Sequence, residues 1–273
     1  MNLPVTSIKT PTKDLPSMNS STIPDVVYGR KFGMALTLDV VKPEKPSGTG
    51  VLALSSGGWQ SWPEMGKPGT VEFLERGQTV FLVTHGAKPR FSIPEIVQDI
   101  RRAVRFVRAH AAEHAVDPTR LGLFGISSGG NISLLTAAQG GAGDPEAKDP
   151  VDRQGDRVGA VACFYPPTDF LNYGEPGKVW VPYRVAGDTA DDATLARAWS
   201  PVTHFTAAMP PTLIMHGDAD VLVPIQQARA VTARLRELGV EHHLEVRPGR
   251  EHGWPDMSAE YALCADWFDR YLK

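Results

Sequence analysis

Short apolar segments of strand length alternate along this chain with segments of helical periodicity, and this alternation is the feature that most limits the fold. The apolar runs lie at residues 51–54, 79–83, 121–124, 158–164, 212–215 and 243–246. Helical patterns separate them at 70–76, 93–114, 225–238 and 255–272, and a further one follows residue 127. Strands that alternate with helices are typical of a mostly parallel sheet with helices on both faces. The sequence therefore predicts an α/β fold.

The beginning of the chain departs from this alternation. Residues 1–24 contain four prolines among serines and threonines and no continuous apolar stretch, which predicts an extended arm rather than a signal peptide. Residues 26–41 resemble an antiparallel hairpin that opens the sheet. A chain of 273 residues that is 42% hydrophobic can bury a large core. We therefore expect one domain over residues 25–273, preceded by the arm.

Two internal segments interrupt the pattern. Residues 140–157 are rich in glycine, proline and charge, which indicates a surface loop. Residues 166–201 contain aromatic side chains without a clean period, and they are candidates for a small cap. In the helix at 93–114, four arginines lie opposite the apolar positions. We interpret them as a solvated face rather than an anion site; they are Arg101, Arg102, Arg105 and Arg108.

Charge and hydrophobicity limit the partners. The net charge is −3 and the basic residues are dispersed, so a nucleic-acid partner is not expected. The longest apolar runs have strand length, so no membrane span is expected. No histidine cluster has the spacing of metal ligands, and we expect neither a metal nor another cofactor. The sequence leaves the oligomeric state open, and also the compartment: cytoplasmic by default, or secreted with the signal removed.

The apolar run at 121–124 leads directly into the pattern Gly125-Ile-Ser127-Ser-Gly129. A serine hydroxyl is a poor nucleophile unless it is exposed at a sharp strand-to-helix turn beside a base and oxyanion donors. Glycines tolerate the backbone strain and close approach of such a turn. A five-residue pattern also arises by chance, so Ser127 needs support from elsewhere in the chain.

Two later motifs supply an acid and a base in the required order. The segment from His216 to Pro224, His-Gly-Asp-Ala-Asp-Val-Leu-Val-Pro, follows a predicted strand and offers the carboxylates Asp218 and Asp220. A glycine-flanked histidine, His252, follows the last predicted strand. The order nucleophile, acid, histidine matches that of α/β-hydrolases. Ser127, Asp220 and His252 are therefore the predicted catalytic residues.

Together, these three motifs resemble the α/β-hydrolase superfamily over residues 26–273. The resemblance implies an α/β-hydrolase fold, with Ser127 as nucleophile, His252 as base and a carboxylate that orients the base. The family pattern His-Gly-x-x-Asp-x-x-Val-Pro selects Asp220 as that carboxylate. Asp218 is then expected to form hydrogen bonds within its loop.

The oxyanion loop departs from the pattern common in related esterases, which is His-Gly-Gly-Gly followed by an aromatic residue. This chain has Ser55-Ser-Gly57-Gly58-Trp59. The backbone N–H groups of Gly57 and Gly58, together with that of Ser128, are the predicted oxyanion donors. The missing histidine leaves open how the loop is braced, and with it whether the N–H of Gly57, Gly58 or Trp59 is the second donor.

Within the superfamily, the chain looks like the small carboxylesterases, including acetyl and feruloyl esterases that deacylate plant polysaccharides. This resemblance implies hydrolysis of short-acyl esters through an acyl-enzyme, with a small-molecule or glycan ester as substrate. Candidates for substrate contact are Trp59, His85 and Trp254. Aromatic faces can stack on sugar rings, but they can equally close a hydrophobic pocket.

Two other classes of function stay open at this point. Serine peptidases of the prolyl-oligopeptidase type share the order of the triad and the acid motif. They usually carry a propeller domain, and their elbow commonly has tyrosine where this chain has Ser128. A hydrolase-fold binding protein without catalytic activity is the other alternative. Such proteins usually lack a triad residue, whereas this chain has all three candidates.

Overall fold

The computed structural model describes residues 20–273, so most of the predicted N-terminal arm lies outside the described residues. The described part contains eight strands: Ser20–Lys31 (β1), Met34–Pro43 (β2), Gly48–Leu54 (β3), Thr79–Val83 (β4), Val116–Ile126 (β5), Ala160–Phe164 (β6), Thr212–Gly217 (β7) and His242–Arg247 (β8). It also contains six α-helices: Thr70–Glu75 (α1), Ile93–Ala109 (α2), Ser128–Ala138 (α3), Asp192–Trp199 (α4), Gln226–Glu237 (α5) and Ser258–Tyr271 (α6).

All eight strands belong to one sheet, in the order β1-β2-β4-β3-β5-β6-β7-β8. β1 and β2 form an antiparallel hairpin, and β2 pairs antiparallel with β4. The remaining neighbours in the sheet, in the order β4, β3, β5, β6, β7 and β8, all pair in parallel. The predicted fold class, a mostly parallel sheet that opens with an antiparallel hairpin, is confirmed.

The sheet separates two apolar layers, because successive side chains of a strand point to opposite faces. In β3, Leu52 and Leu54 belong to one layer and Val51 and Ala53 to the other. The first layer is completed by apolar residues of α2, α3 and α5, and the second by those of α1 and α6. Helices therefore cover both faces, as predicted.

Several element boundaries differ from the predicted ones. β1 begins at Ser20, which pairs with Pro43, rather than at residue 26. Most side chains in the first half of β1 are exposed, so this edge strand has no apolar run to announce it. β5 likewise begins at Val116, before its apolar run. α2 ends at Ala109, and a short 3-10 turn, Ala111–His114, takes the place of its predicted last turn.

The arginine face of α2 is not solvated, which corrects the interpretation from the sequence. The Asp156 side chain is fully buried, and it pairs with Arg101 Nε at 2.9 Å and with Arg105 Nη2 at 2.8 Å. Further bonds run from Arg102 to Asp149 and Asp152, and from Arg108 to the carbonyls of Pro118, Gly155 and Arg157. These arginines hold the loop at 140–157 against the helix.

Within residues 20–273, no helix is both long enough and apolar enough to cross a bilayer. The same part of the chain contains no group of three or more His, Cys, Asp or Glu side chains arranged to hold a metal ion. Cys163 and Cys264 are both buried free thiols.

Candidate active site

Ser127 lies at the junction between β5 and α3, where the chain makes a sharp turn. Its backbone has φ 55° and ψ −118°, a conformation that costs a non-glycine residue free energy and persists where its surroundings hold it. Two backbone bonds hold this turn: Ser127 N–H donates to Phe164 O at 2.9 Å, and Ser127 O accepts from Asn131 N–H at 3.1 Å. This is the geometry of a nucleophile elbow.

The elbow also requires glycine at position 125. A Cβ built on Gly125 would lie 2.3 Å from the carbonyl carbon and oxygen of Gly129, at the start of α3. No side chain fits at that distance from rigid backbone atoms. The strand and the helix can pass this closely only because Gly125 has no side chain.

The structure brings the predicted nucleophile, base and acid together. Ser127 Oγ lies 3.0 Å from His252 Nε2, and His252 Nδ1 lies 2.7 Å from Asp220 Oδ2. Ser127 follows β5, Asp220 follows β7 and His252 follows β8, so three carboxyl ends of parallel strands converge. Both distances are within hydrogen-bond range.

The Asp220 carboxylate is buried and fully hydrogen-bonded. Its Oδ1 accepts from the N–H groups of Leu222 at 2.9 Å and Val223 at 2.8 Å, while Oδ2 faces His252. Burial alone would raise the pKa of Asp220, but hydrogen bonds from His216, His252 and the Val223 N–H outweigh it and hold the pKa well below its usual value. The acid is therefore ionised over the pH range in which an imidazole titrates.

His216 is a neighbour of the triad to which the sequence assigned no role. It is fully buried in β7, and its Nε2–H donates to Val223 O at 2.7 Å and lies 3.5 Å from Asp220 Oδ2. Its position in the motif, four residues before Asp220, could have indicated that it lies beside the acid. His216 braces the loop that presents Asp220.

Asp218 is the other carboxylate of this loop, and it points away from the triad. Its Oδ1 accepts from Gly249 N–H at 2.6 Å, and its side chain is exposed. This bond links the loop after β7 to the loop that carries His252. The structure therefore places Asp220, rather than Asp218, beside the imidazole.

Of the predicted oxyanion donors, two have free N–H groups. Ser128 is the first residue of α3, so its N–H has no acceptor within the helix. Gly57 N–H donates to Gln60 O at 3.0 Å and is thereby committed to a tight turn. Gly58, with φ 55°, has no partner for its N–H among the described residues. The geometry favours Gly58 over Gly57 as the second donor, and the Trp59 N–H, likewise without a partner among the described residues, stays an alternative.

Serine hydroxyls brace the oxyanion loop where related enzymes have histidine. Ser61 Oγ donates to Ser55 O at 2.7 Å, and Ser55 N–H donates to Val83 O at 2.9 Å. Ser56 Oγ lies 3.1 Å from Ser128 Oγ, which ties the loop to the elbow itself. These hydrogen bonds brace the oxyanion loop in the absence of the histidine.

Trp59 is a structural residue, which corrects its candidacy for substrate contact. Its side chain is only 4% exposed, and its indole N–H donates to Asn131 Oδ1 at 3.2 Å. Asn131 in turn donates to the carbonyls of Pro167 and Trp199. Trp59 therefore joins the oxyanion loop to α3 and to the segment 166–201.

The segment 166–201 is anchored by its aromatic side chains. They form a cluster around Trp59, with ring centroids 6.1 Å from it for Phe170, Trp180 and Tyr183. Hydroxyls add fixed points, since Tyr183 donates to Phe91 O at 2.9 Å. The proposed cap thus packs on the domain core.

One aromatic ring packs against the His252 imidazole, and a second packs against that ring. The Tyr165 ring lies 4.3 Å from the His252 ring between centroids, and the half-buried Trp254 ring lies 6.0 Å from Tyr165. Burial, followed by the charge of Asp220, raises the pKa of Tyr165, so its hydroxyl stays neutral. Tyr165 directly follows β6, but no motif in the sequence singles it out. Trp254 remains a candidate for substrate contact.

His85 is buried, so it presents almost no surface to a substrate. It is 7% exposed, and its Nδ1 lies 2.7 Å from Gly86 O. Its Nε2 is buried without a partner among the described residues. This burial lowers the pKa of His85 to about 4. The expectation that His85 contacts substrate is therefore corrected: it is a neutral core histidine.

The lowered pKa predicts a pH-dependent stability. An imidazole in the unfolded chain has a pKa of about 6.5. Because the pKa of His85 is lower in the folded protein, protons bind preferentially to the unfolded chain. The free energy of unfolding therefore decreases as the pH falls from about 6.5 towards 4. When the pH is lowered from about 7.5 to about 5, we expect protonation of His85 in the unfolded chain to lower the free energy of unfolding by about 2 kcal/mol. Urea unfolding of the wild type and His85→Gln measures this: the variant should lose that part of the pH dependence.

The matched control is His243→Gln, which replaces a half-exposed histidine on β8. It should keep the pH dependence of the wild type. The same slope in His85→Gln and in the wild type would contradict the assignment of His85.

Comparisons with known proteins show the family and agree with the fold. Residues 38–235 match the model of the BD-FAE family. Curated relatives from Mycobacterium tuberculosis include the probable carboxylic ester hydrolase LipM, 29% identical over 225 residues (78% of this chain, 52% of LipM), and the esterase LipQ, 27% identical over 184 residues (66% and 42%). The chain spans about half the length of the curated relatives it matches.

Solved structures agree with the fold over nearly the whole chain. A truncated carbohydrate esterase from gut microbiota has a TM-score of 0.79 at 22% identity and covers 92% of this chain and 96% of its own. Esterase Est2 of Thermogutta terrifontis has a TM-score of 0.72 at 25% identity, with coverages of 93% and 92%. The first of these likenesses concerns the fold alone.

The resemblance predicted from the three sequence motifs is confirmed. Both curated relatives are named as ester hydrolases, the enzyme class predicted from the sequence. The family match covers more than half of the chain and includes the elbow and the acid motif. This chain belongs to the BD-FAE family and has the α/β-hydrolase fold.

Proposed function

We propose that this protein is a serine carboxylesterase that hydrolyses short-acyl esters through an acyl-enzyme. The observation that carries the proposal is the continuous hydrogen-bonded chain from Ser127 Oγ through His252 to Asp220, with distances of 3.0 Å and 2.7 Å. The serine lies partly accessible at a strained elbow and stands beside a base that is itself oriented. These are the requirements for an activated hydroxyl nucleophile.

In the acylation half, Ser127 Oγ attacks the ester carbonyl carbon while His252 Nε2 takes the hydroxyl proton. The carbonyl oxygen becomes an anion, and the N–H groups of Ser128 and Gly58 donate to it. When this tetrahedral intermediate collapses, the bond to the alcohol oxygen breaks and His252 gives its proton to the leaving alkoxide. The acyl group is then held on Ser127.

In the deacylation half, water takes the place of the alcohol. His252 accepts a proton from water as it attacks the acyl carbon, and then returns that proton to Ser127 Oγ as the acid is released. Asp220 stays ionised throughout, because its hydrogen bonds hold its pKa low. Its charge stabilises the imidazolium formed in each half and keeps Nδ1 as the protonated nitrogen.

A carbohydrate ester with a short acyl group is the substrate class we propose. Two similar solved structures support it by their names, a carbohydrate esterase and an acetyl ester-xyloside bifunctional hydrolase, both with the same fold. Aromatic surface is also available beside the site: Trp254 is half-buried next to Tyr165, and Trp62, just after the oxyanion loop, is 45% exposed. Exposed aromatic faces suit stacking on sugar rings.

A series of nitrophenyl esters of increasing acyl length, followed by acetylated xylan, tests this function. We expect kcat/KM to be highest for acetate or propionate and to fall by at least about tenfold for acyl chains of eight carbons or more, since one misfitting methylene is worth about tenfold or more. Acetate release from xylan should follow. A preference for long chains would contradict the proposed substrate class.

Aminoacyl nitroanilides form the second arm, because an acylamino-acid-releasing enzyme of Arabidopsis thaliana is also a relative, 29% identical over 188 residues. The proposed esterase should leave them essentially uncleaved. Faster cleavage of these amides than of aryl acetates would favour the peptidase alternative instead.

A further inference from the structure

Lys88 stands beside the oxyanion loop, in the segment that follows β4. Its backbone N–H donates to Trp59 O at 3.0 Å, which fixes this segment against the loop. Its Nζ lies 3.7 Å from the position that a Cβ on Gly58 would take, and no other group apart from the chain neighbours of Gly58 comes within 4 Å of that position. Backbone dimensions then place Nζ within roughly 6 Å of the Gly58 nitrogen.

The ammonium group of Lys88 has no carboxylate partner among residues 20–273. It faces the Tyr183 ring, whose centroid lies 5.9 Å from Nζ. Partial burial lowers the pKa of Lys88, and no nearby charge offsets that effect. Lys31 shows the contrast, because its Nζ pairs with Asp99 at 3.0 Å and also bonds a backbone carbonyl.

A half-buried cation without a counter-ion is unfavourable, because it gives up hydration and gains no charged partner. Such an arrangement favours an anion that arrives with a ligand. The ammonium lies on the Cβ side of Gly58, whereas the oxyanion lies on the N–H side, so the two positions are adjacent and distinct. An oxyanion held by the Gly58 N–H would therefore have the Lys88 ammonium group nearby.

We propose that Lys88 binds a carboxylate carried by the substrate next to the scissile ester, and so makes the enzyme selective for anionic esters. This inference rests on the proposed esterase function. Two chemical classes carry such a group: half-esters of dicarboxylic acids, with the charge on the acyl side, and acylated uronic acids, with the charge on the alcohol side. The shared feature is a carboxylate near the ester carbonyl, within reach of Nζ.

The test uses two pairs of esters that differ in charge and little in shape. For the alcohol side, the pair is 4-acetoxybenzoate and 4-acetoxybenzamide. For the acyl side, it is nitrophenyl hemisuccinate and nitrophenyl methyl succinate, each corrected for uncatalysed hydrolysis. In at least one pair, we expect Lys88→Met to lower the anionic-to-neutral ratio of kcat/KM by about tenfold, mainly through a higher KM for the anion. Lys88→Arg should keep most of the preference.

Lys148→Met is the matched control, since it removes the same charge from an exposed position in the loop at 140–157. It should keep the ratio of the wild type. A ratio unchanged by Lys88→Met in both pairs, or an equal loss on charged and neutral esters, would overturn the inference. Failure of the wild type to hydrolyse any of the four esters, charged or neutral, would overturn the proposed function instead, so the two failures are distinguishable.

A measurement on the unmodified protein covers the case in which Lys88→Met does not fold. The net charge of −3 repels anions, so screening that general field would raise the rate for the anionic ester. A local contact with Lys88 predicts the opposite. Raising the ionic strength from about 0.05 M to about 0.5 M should lower the anionic-to-neutral ratio of the wild type. A rise in that ratio would overturn the inference.

Discussion

Replacing Ser127 with alanine is expected to lower kcat for aryl acetate hydrolysis by about 10⁴-fold or more, to the level left by substrate binding and the oxyanion donors. The physical reason is that Ser127 supplies the only oxygen placed 3.0 Å from His252 Nε2 among the described side chains. Without it, no acyl-enzyme forms, and water must attack directly. Steady-state kinetics on nitrophenyl acetate measure the loss.

A fluorophosphonate probe gives a second readout, because it reacts covalently with an activated serine. The wild type should be labelled and Ser127→Ala should not. Ser133→Ala is the matched control: Ser133 lies in α3, and its hydroxyl only donates to Gly129 O at 2.8 Å. It should be labelled normally. Wild-type hydrolysis by purified Ser127→Ala would contradict the assignment, and an unlabelled wild type would favour a binding protein.

The sheet could be predicted from the sequence to the extent that its strands are buried on both faces. β3, β4, β6 and β7 are almost entirely buried, so each is a continuous apolar run that can be recognised without the structure. β1 is an edge strand with mostly exposed side chains, and its start at Ser20 had no such signal. An apolar run in the sequence predicts burial, so it identifies a strand only where that strand is buried.

The convergence of Ser127, Asp220 and His252 could be predicted because each one follows a recognisable strand and lies in a motif of fixed order. Parallel strands bring such positions to one edge of the sheet without any knowledge of the loops. The contacts around the triad were less accessible. The burial of Trp59 depends on the segment 166–201, which has no periodic pattern, and Tyr165 is a single aromatic residue after a strand.

Charge partners were the least predictable feature. The arginines of α2 have the spacing of a solvated helix face, yet they bind aspartates up to 55 residues away in the loop at 140–157. Lys88, in contrast to these arginines, has no carboxylate partner in the described part of the chain. Helical periodicity predicts which face of a helix is apolar, but not which loop covers the other face.

Replacing Asp220 with asparagine is expected to lower kcat by about 10⁴-fold with little effect on the fold. The N–H groups of Leu222 and Val223 donate to Oδ1, so in the variant they hold the amide oxygen at that position. The amide NH₂ must then face His252 Nδ1. That nitrogen becomes an acceptor, Nε2 carries the proton, and the imidazole can no longer take a proton from Ser127.

Asp218→Asn is the matched control, two residues away in the same loop. Its amide oxygen can still accept from Gly249 N–H, since a donor needs only an oxygen there, and it has no contact with His252. We expect kcat within a few-fold of the wild type, measured on the same ester with thermal unfolding as the check of folding. A large loss in Asp218→Asn with a small one in Asp220→Asn would reverse the assignment of the acid. Because the two variants remove the same charge from one loop, a difference between them reports the orientation of the imidazole rather than the net charge of the site.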